Sequence, residues 1–321
     1  MLRYKRTVQR IFIKKERFLK ADVNATVTRK GDTDDYTLQD LGWDRVPTWM
    51  EGKPLSEMIS LKGKTALVTG AGGIGLGRDI ANSLAALGAE VVLVDILEDV
   101  HKTAKDVAEK WGVKTHSIVC DLTKYDEVGK MFEAAYGMIT GGKLDILVNN
   151  ANFNRAGAIQ NMTEEDIRIS TEGPYISQVN CCVHVAKHMI ENHSGKIINI
   201  GTEASRKVSN PGLALYAAAK GGVLSLIRTL ASELAPYEII VNGVAPGVMM
   251  HSRLRGYFEN PSDDPRMKAV RKSIVESAQE TLAQRVSIPW EVANTVAYLC
   301  TDACSYIYGQ MIMNGGGITA P

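Results

Sequence analysis

The chain runs to 321 residues, 45% of them hydrophobic and 23% charged, with a formal net charge of +1. That balance describes a globular protein long enough for one large α/β core, and its near-neutral charge supplies no general attraction to nucleic acid or an acidic surface. The five cysteines (Cys120, Cys181, Cys182, Cys300 and Cys304) include no C-x-x-C pair, so they read as reduced, mostly buried thiols of a cytoplasmic protein. No apolar run approaches the roughly 18 residues of a membrane span.

The first twenty residues are strongly basic: Arg3, Lys5, Arg6, Arg10, Lys14, Lys15, Arg17 and Lys20 stand against Glu16, with Val8, Ile11, Phe12 and Ile13 among them. A secretory leader needs an unbroken apolar centre, which this segment lacks. It reads as a solvated basic arm, with a subunit-docking arm as the alternative. Residues 21–60 are polar and carry Trp43, Pro47, Trp49 and Pro54. They are expected to form an irregular extension that packs by its aromatics, so that residues 1–60 precede a single folded domain over 61–321.

From residue 64 the pattern changes. Short β-branched runs at 65–68, 91–94, 117–120, 144–148, 196–200, 239–244 and 310–313 alternate with helix-length amphipathic stretches. Near-continuous apolar strands separated by helices predict an α/β fold, a doubly wound parallel sheet of Rossmann type covered on both faces.

Between the first strand and first helix lies Thr69-Gly70-Ala71-Gly72-Gly73-Ile74-Gly75-Leu76-Gly77. Glycines there allow a tight turn and close approach of a pyrophosphate, whose charge a helix N-terminus favours. Gly70, Gly72 and Gly75 fit G-x-G-x-x-G, and Asp95 closes the second strand, where a carboxylate accepts from the adenosine ribose hydroxyls. The expected cofactor is NAD, because Asp95 repels a 2′-phosphate and is followed by Ile96 and Leu97; Arg78 is the residue through which NADP remains the second choice.

In the back half, Tyr216 and Lys220 stand four apart and share one helix face. An ammonium beside a phenol, whose ordinary pKa is about 10, draws it toward the phenolate, and a Tyr tuned in this way is a usable general acid/base. Asp121-Leu122 follows the third strand, Asn149-Asn150-Ala151 the fourth, Pro246-Gly247 the sixth, and Asn314-Gly315-Gly316-Gly317 the last.

With these motifs, residues 61–317 resemble the short-chain dehydrogenase/reductases. The resemblance implies hydride transfer between NAD(H) and a secondary alcohol or ketone, with Tyr216 transferring the proton and Lys220 binding the nicotinamide ribose. It also implies that Gly70, Gly72, Gly75, Leu76, Gly77, Asp95, Asp121, Leu122, Asn150, Ala151, Pro246 and Gly247 line the cofactor together with Tyr216 and Lys220. Residues 248–285 correspond to the variable substrate lid, and the helices at 174–193 and 214–235 to the faces that make homotetramers or homodimers.

Four positions depart from the family pattern. The glycine turn, read from Gly70 to Gly75 and Gly77, carries one extra residue. Asn152 replaces a glycine, at a place where Asn tolerates a left-handed backbone. The substrate-orienting serine is replaced by Thr202, with Glu203 and Ser205 as alternative registers. The helix asparagine of the proton relay is replaced by Ser170, Asn180 being reached only by a shifted alignment, and Pro174 disrupts the same helix. A catalytically silent, cofactor-binding or structural subunit is therefore the alternative function. His184 and His188, one helical turn apart, lack a third ligand, and no metal is expected; Cys181-Cys182 and Cys300/Cys304 read as core.

Overall fold

The computed structural model describes residues 50–205 and 211–318, together with Gln39, Gly42 and Pro47. The basic arm, Trp43 and Trp49 lie outside the described residues. The chain divides into two compact units, residues 1–52 and 53–321. Of the first, the described turns are closed by Gly42 N donating to Gln39 O and Met50 N to Pro47 O, both at 2.9 Å.

In the second unit the first buried residue is Leu61, 1% exposed. Seven strands follow: β1 (Thr65–Thr69), β2 (Glu90–Asp95), β3 (Thr115–Val119), β4 (Ile146–Asn149), β5 (Gly195–Ile200), β6 (Ile239–Pro246) and β7 (Met311–Asn314). They form one sheet in the order β3-β2-β1-β4-β5-β6-β7, every pairing parallel. The strand ends differ by one or two residues from the sequence reading, because pairing, not apolarity, sets where a strand stops.

The helices cover both faces. Ala66 and Val68 of β1 point into one core with Ile80 and Leu84 of α1 (Leu76–Ala86), Val100 of α2 (Asp99–Trp111) and Val292 and Val296 of α9 (Pro289–Leu299). Leu67, between them, points into the other core. There it meets the layer formed by Val128 and Phe132 of α3 (Tyr125–Met138), Val185 of α5 (Ser177–Glu191) and Val223 and Ile227 of α6 (Ala214–Leu234). This two-residue alternation is what a sheet buried on both sides requires. The strand order reverses between β1 and β4, opening a crevice at their carboxyl ends, the usual ligand position in such sheets.

Helix α4 (Glu164–Thr171) starts on a capping box, Thr163 accepting from Asp166 N while the Asp166 carboxylate accepts from Thr163 N. It runs into a π-helical turn, Glu172–Ile176, before α5 begins. Pro174 lies inside that turn. A proline supplies no N–H and clashes with the carbonyl four residues back, and the widened turn accommodates both. Residues 248–285 contribute α7 (Ser252–Glu259) and α8 (Pro265–Glu280).

The residues set aside as structural behave so. Cys181, Cys182, Cys300 and Cys304 are at most 3% exposed, and burial pushes the Cys182 and Cys300 thiols up to about 12. The His184 ring lies 4.4 Å from that of Tyr125, and the His188 ring stacks at 4.0 Å on Tyr136. Both histidines thus join α5 to α3. Among the described residues no group of three or more His, Cys, Asp or Glu is placed to hold a metal ion, and no helix is long and apolar enough to cross a membrane.

Candidate active site

The glycine turn divides into crowded and open positions. Gly70 has φ +67°, and a Cβ there would meet Ala151 Cα at 2.7 Å. A Cβ on Gly77 would lie 2.1 Å from the Gly70 carbonyl oxygen, and one on Gly72 would lie 2.8 Å from Asp95 Cβ. These three glycines bring β1, β2, β4 and α1 together. Gly73 and Gly75 instead face open space. No side chain caps α1, whose Ncap residue is Gly75 and whose first residue is Leu76, so its leading amides are available to an anion.

Asp95 sits beside this turn at the end of β2. One carboxylate oxygen accepts from Gly72 N at 2.8 Å and the other from Leu97 N at 3.1 Å, leaving further lone pairs on each for hydroxyls. Arg78 lies 3.6 Å from the buried Asp79, whose carboxyl burial pushes up. Asn150 Nδ2 donates to the carbonyls of Thr69 and Gly70, and the amides of Asn150 and Ala151 share the Thr69 hydroxyl. The Asp121 carboxylate accepts from the amide and hydroxyl of Thr123, and Leu122 is buried beside it. Asn152 keeps a negative φ, so the chain there needs no left-handed residue. Open space at Gly73 and Gly75, an uncapped helix start and a carboxylate at the end of β2 together fit a dinucleotide.

The catalytic candidates meet at the end of β5. Tyr216 on α6 is half-buried, and the influence of the Thr202 hydroxyl draws its phenol toward the phenolate. Burial acts in the opposite direction and prevails, so its pKa is raised. The expected depression by Lys220 is therefore reversed. Lys220, one turn on, is 1% exposed and directs its ammonium to the Ile200 carbonyl at 2.7 Å. Burial brings its own pKa down to about 7.

The alternatives to Thr202 have contacts of their own. The Glu203 carboxylate lies under the backbone of Gly247 and Gly315, and a Cβ on either glycine would meet its Oε2 at 2.9 and 2.3 Å. It lines a cavity of about 80 Å³ with Thr281, Arg285, Ser287 and Gly316. The Ser205 hydroxyl donates to the Thr202 carbonyl at 2.7 Å.

Ser170 is buried on α4. Its hydroxyl accepts from Arg155 N at 3.1 Å and donates to Arg155 O at 3.3 Å, tying α4 to the loop after β4. The helix bends at Glu172–Ile176, beyond it, because Pro174 forces the bend there. Asn180 donates instead to the Leu122 carbonyl. Sequence reasoning missed Gln178, whose side-chain amide donates to the same Ile200 carbonyl as Lys220, at 3.1 Å. The signal available was an amide side chain in an apolar helix, and Ile200 is far from it in sequence.

Pro246 ends β6, and Gly247 N donates to Asn314 O at 3.1 Å, pinning the Pro-Gly turn to the end of β7. Arg255 pairs with Glu259 on the exposed face of α7.

Residues 70–319 match the family model described as enoyl-(acyl carrier protein) reductase. Over 267 residues the chain is 33% identical to the 3-oxoacyl-(acyl-carrier-protein) reductase FabG of Aquifex aeolicus, covering 81% of this chain and 99% of that protein. The chain belongs to the short-chain dehydrogenase/reductase family. As a member of that family it is an oxidoreductase. Two solved members of the short-chain dehydrogenase/reductases share its fold. A 7α-hydroxysteroid dehydrogenase complexed with NADH and 7-oxoglycochenodeoxycholic acid superposes with a TM-score of 0.72 at 30% identity, covering 82% of this chain and 96% of that one. A protein assigned as a 2-deoxy-d-gluconate 3-dehydrogenase from Agrobacterium tumefaciens, with bound NADP, gives 0.71 at 29% identity, covering 82% and 99%.

Proposed function

We propose that the protein interconverts a secondary alcohol and its ketone using NAD(H). The observation that carries this reading is Tyr216 one helical turn from the buried Lys220, whose ammonium donates to the Ile200 carbonyl at 2.7 Å just before Thr202. The nicotinamide, when bound, supplies or takes the hydride. Tyr216, kept protonated at neutral pH by burial, gives its proton to the substrate oxygen in the reducing direction and takes it back in oxidation. Thr202 orients that oxygen by its hydroxyl. Lys220 holds the nicotinamide ribose and brings a cation to the same place. Gly73, Gly75 and the start of α1 receive the pyrophosphate, and Asp95 the adenosine ribose.

Family membership leaves the choice of dinucleotide open, since one related structure holds NADH and another NADP. NAD(H) is favoured by Asp95, whose charge opposes a 2′-phosphate, and by Arg78, which faces Asp79. Titration of both reduced cofactors into the purified protein tests this: NADPH binding as tight as NADH, or tighter, rejects it. Tyr216→Phe should abolish turnover in an alcohol and ketone panel and leave NADH binding near its original value. A protein that binds NADH and reduces no ketone in such a panel is instead a silent subunit. Assembly as a homotetramer or homodimer is proposed with this function, to be read by light scattering.

A further inference from the structure

Gln178 is 1% exposed on the first turn of α5, just after the π-helical turn that Pro174 occupies. Its Nε2 donates to Ile200 O at 3.1 Å, and Lys220 Nζ donates to the same oxygen at 2.7 Å. The amide cannot be reversed, because its oxygen would then face the carbonyl oxygen. Its Oε1 therefore points away from Ile200, and it is a buried acceptor with no hydrogen-bond partner among the described residues. Such an acceptor is costly in a native core. Next to it stands an ammonium with three donors, whose one described acceptor is the carbonyl that Gln178 shares.

Resting on the Tyr216/Lys220 reading above, we propose that Gln178 is a positioning residue for Lys220. Its nitrogen fills one lone pair of the Ile200 carbonyl and so holds Lys220 to the other. Its nitrogen and the Lys220 ammonium thus meet at one buried oxygen. Ile200 lies two residues before Thr202, so the same carbonyl ties α5, α6 and the end of β5 into one unit. Nothing else polar among the described residues has been drawn to that oxygen.

Lysine-15N-labelled protein without substrate or cofactor provides the test, with the Lys220 signal assigned by its loss in Lys220→Met. Gln178→Leu removes both the donor and the acceptor and should lower the Lys220 titration midpoint. Gln178→Glu keeps the volume, places a carboxylate beside the ammonium, and should raise that midpoint by about one to three units. The alkaline limb of kcat/KM for NADH in the reducing direction, which reports the free enzyme, should move the same way in each variant. Where Gln178→Leu fails to fold, the glutamate variant decides alone.

A Lys220 midpoint and an alkaline limb that coincide in the unmodified protein and in the folded variants overturn the proposal. Failure of the proposed function is separately visible. A protein that reduces no ketone loses its enzymatic reading, while the Lys220 titration, read without turnover, still decides what Gln178 does.

Discussion

The Thr202 hydroxyl acts on the phenol of Tyr216, drawing it toward the phenolate, whereas the neighbouring Glu203 sends its carboxylate beneath Gly247 and Gly315. Consecutive residues after β5 thus take opposite directions, one toward Tyr216 and one toward the Pro-Gly turn.

The two should fail differently when truncated. Thr202→Ala removes an oriented hydroxyl and is expected to slow turnover by about 10² to 10³, the usual cost of losing one such donor, while Thr202→Ser retains most of the rate. Glu203 is 6% exposed, so Glu203→Ala should act on packing and lower stability by roughly 1–3 kcal/mol with turnover largely kept. Steady-state kinetics and thermal melts on both variants check this. A catalytic collapse in Glu203→Ala beside a mild Thr202→Ala would transfer the orienting role to the carboxylate.

Asp95 receives the amides of Gly72 and Leu97, and in the proposed function its charge opposes a 2′-phosphate. Asp95→Asn keeps an acceptor and removes the charge, and adding Ile96→Arg at an exposed position, 57% accessible, supplies a cation. The pair should narrow the preference for NADH over NADPH by about tenfold or more, or ~1.4 kcal/mol. Fluorescence titration of both cofactors reads it directly, and an unchanged ratio counts against Asp95 as the selector.

Much of this was legible in the chain. Apolar β-branched runs marked every strand, and the glycine turn followed by Asp95 marked the crevice, because local geometry and charge alone constrain those residues. The sign of the Tyr216 shift was not legible. It depends on where the Lys220 ammonium points, and Ile200, its acceptor, joins α6 only through the folded sheet. The burial of Gln178 was not legible either, since it follows the π turn at Glu172–Ile176, where Pro174 widens the backbone. Which glycines are crowded likewise depends on partners in other strands.

That division among the glycines makes a prediction of its own. A methyl on Gly77 has no room against the Gly70 carbonyl and Asn150 Nδ2, at 2.1 and 2.6 Å, so Gly77→Ala should lower the melting temperature and abolish NADH binding together. Gly75 adopts an extended backbone (φ −178°) and faces open space. Gly75→Ala should therefore fold with nearly unchanged stability and still bind NADH weakly, since the methyl occupies space a pyrophosphate needs. Equal thermal losses in the two variants would contradict the assignment.

Lys220 should cost the protein stability in return for its chemistry. Its folded pKa, about 7, lies below the ordinary 10.5 because the ammonium is buried. Between these values the unfolded chain holds one more proton than the folded one, so stability contributed at this site rises with pH from about 7 upward. Below pH 7 both states are protonated and the full penalty of burying the charge applies. Lys220→Met removes that penalty at the price of leaving the Ile200 carbonyl with Gln178 as its side-chain donor. The variant should be inactive and more stable at pH 6 to 7 by on the order of 1–3 kcal/mol, less than the linkage ceiling because a hydrogen bond is lost with it. Its advantage should shrink as pH rises toward 10. Paired denaturant melts of the two proteins across that range isolate the site, since other titrating groups are common to both. An advantage that is absent at pH 7, or that grows with pH, would show that Lys220 is solvated in the folded protein and carries its charge at no cost.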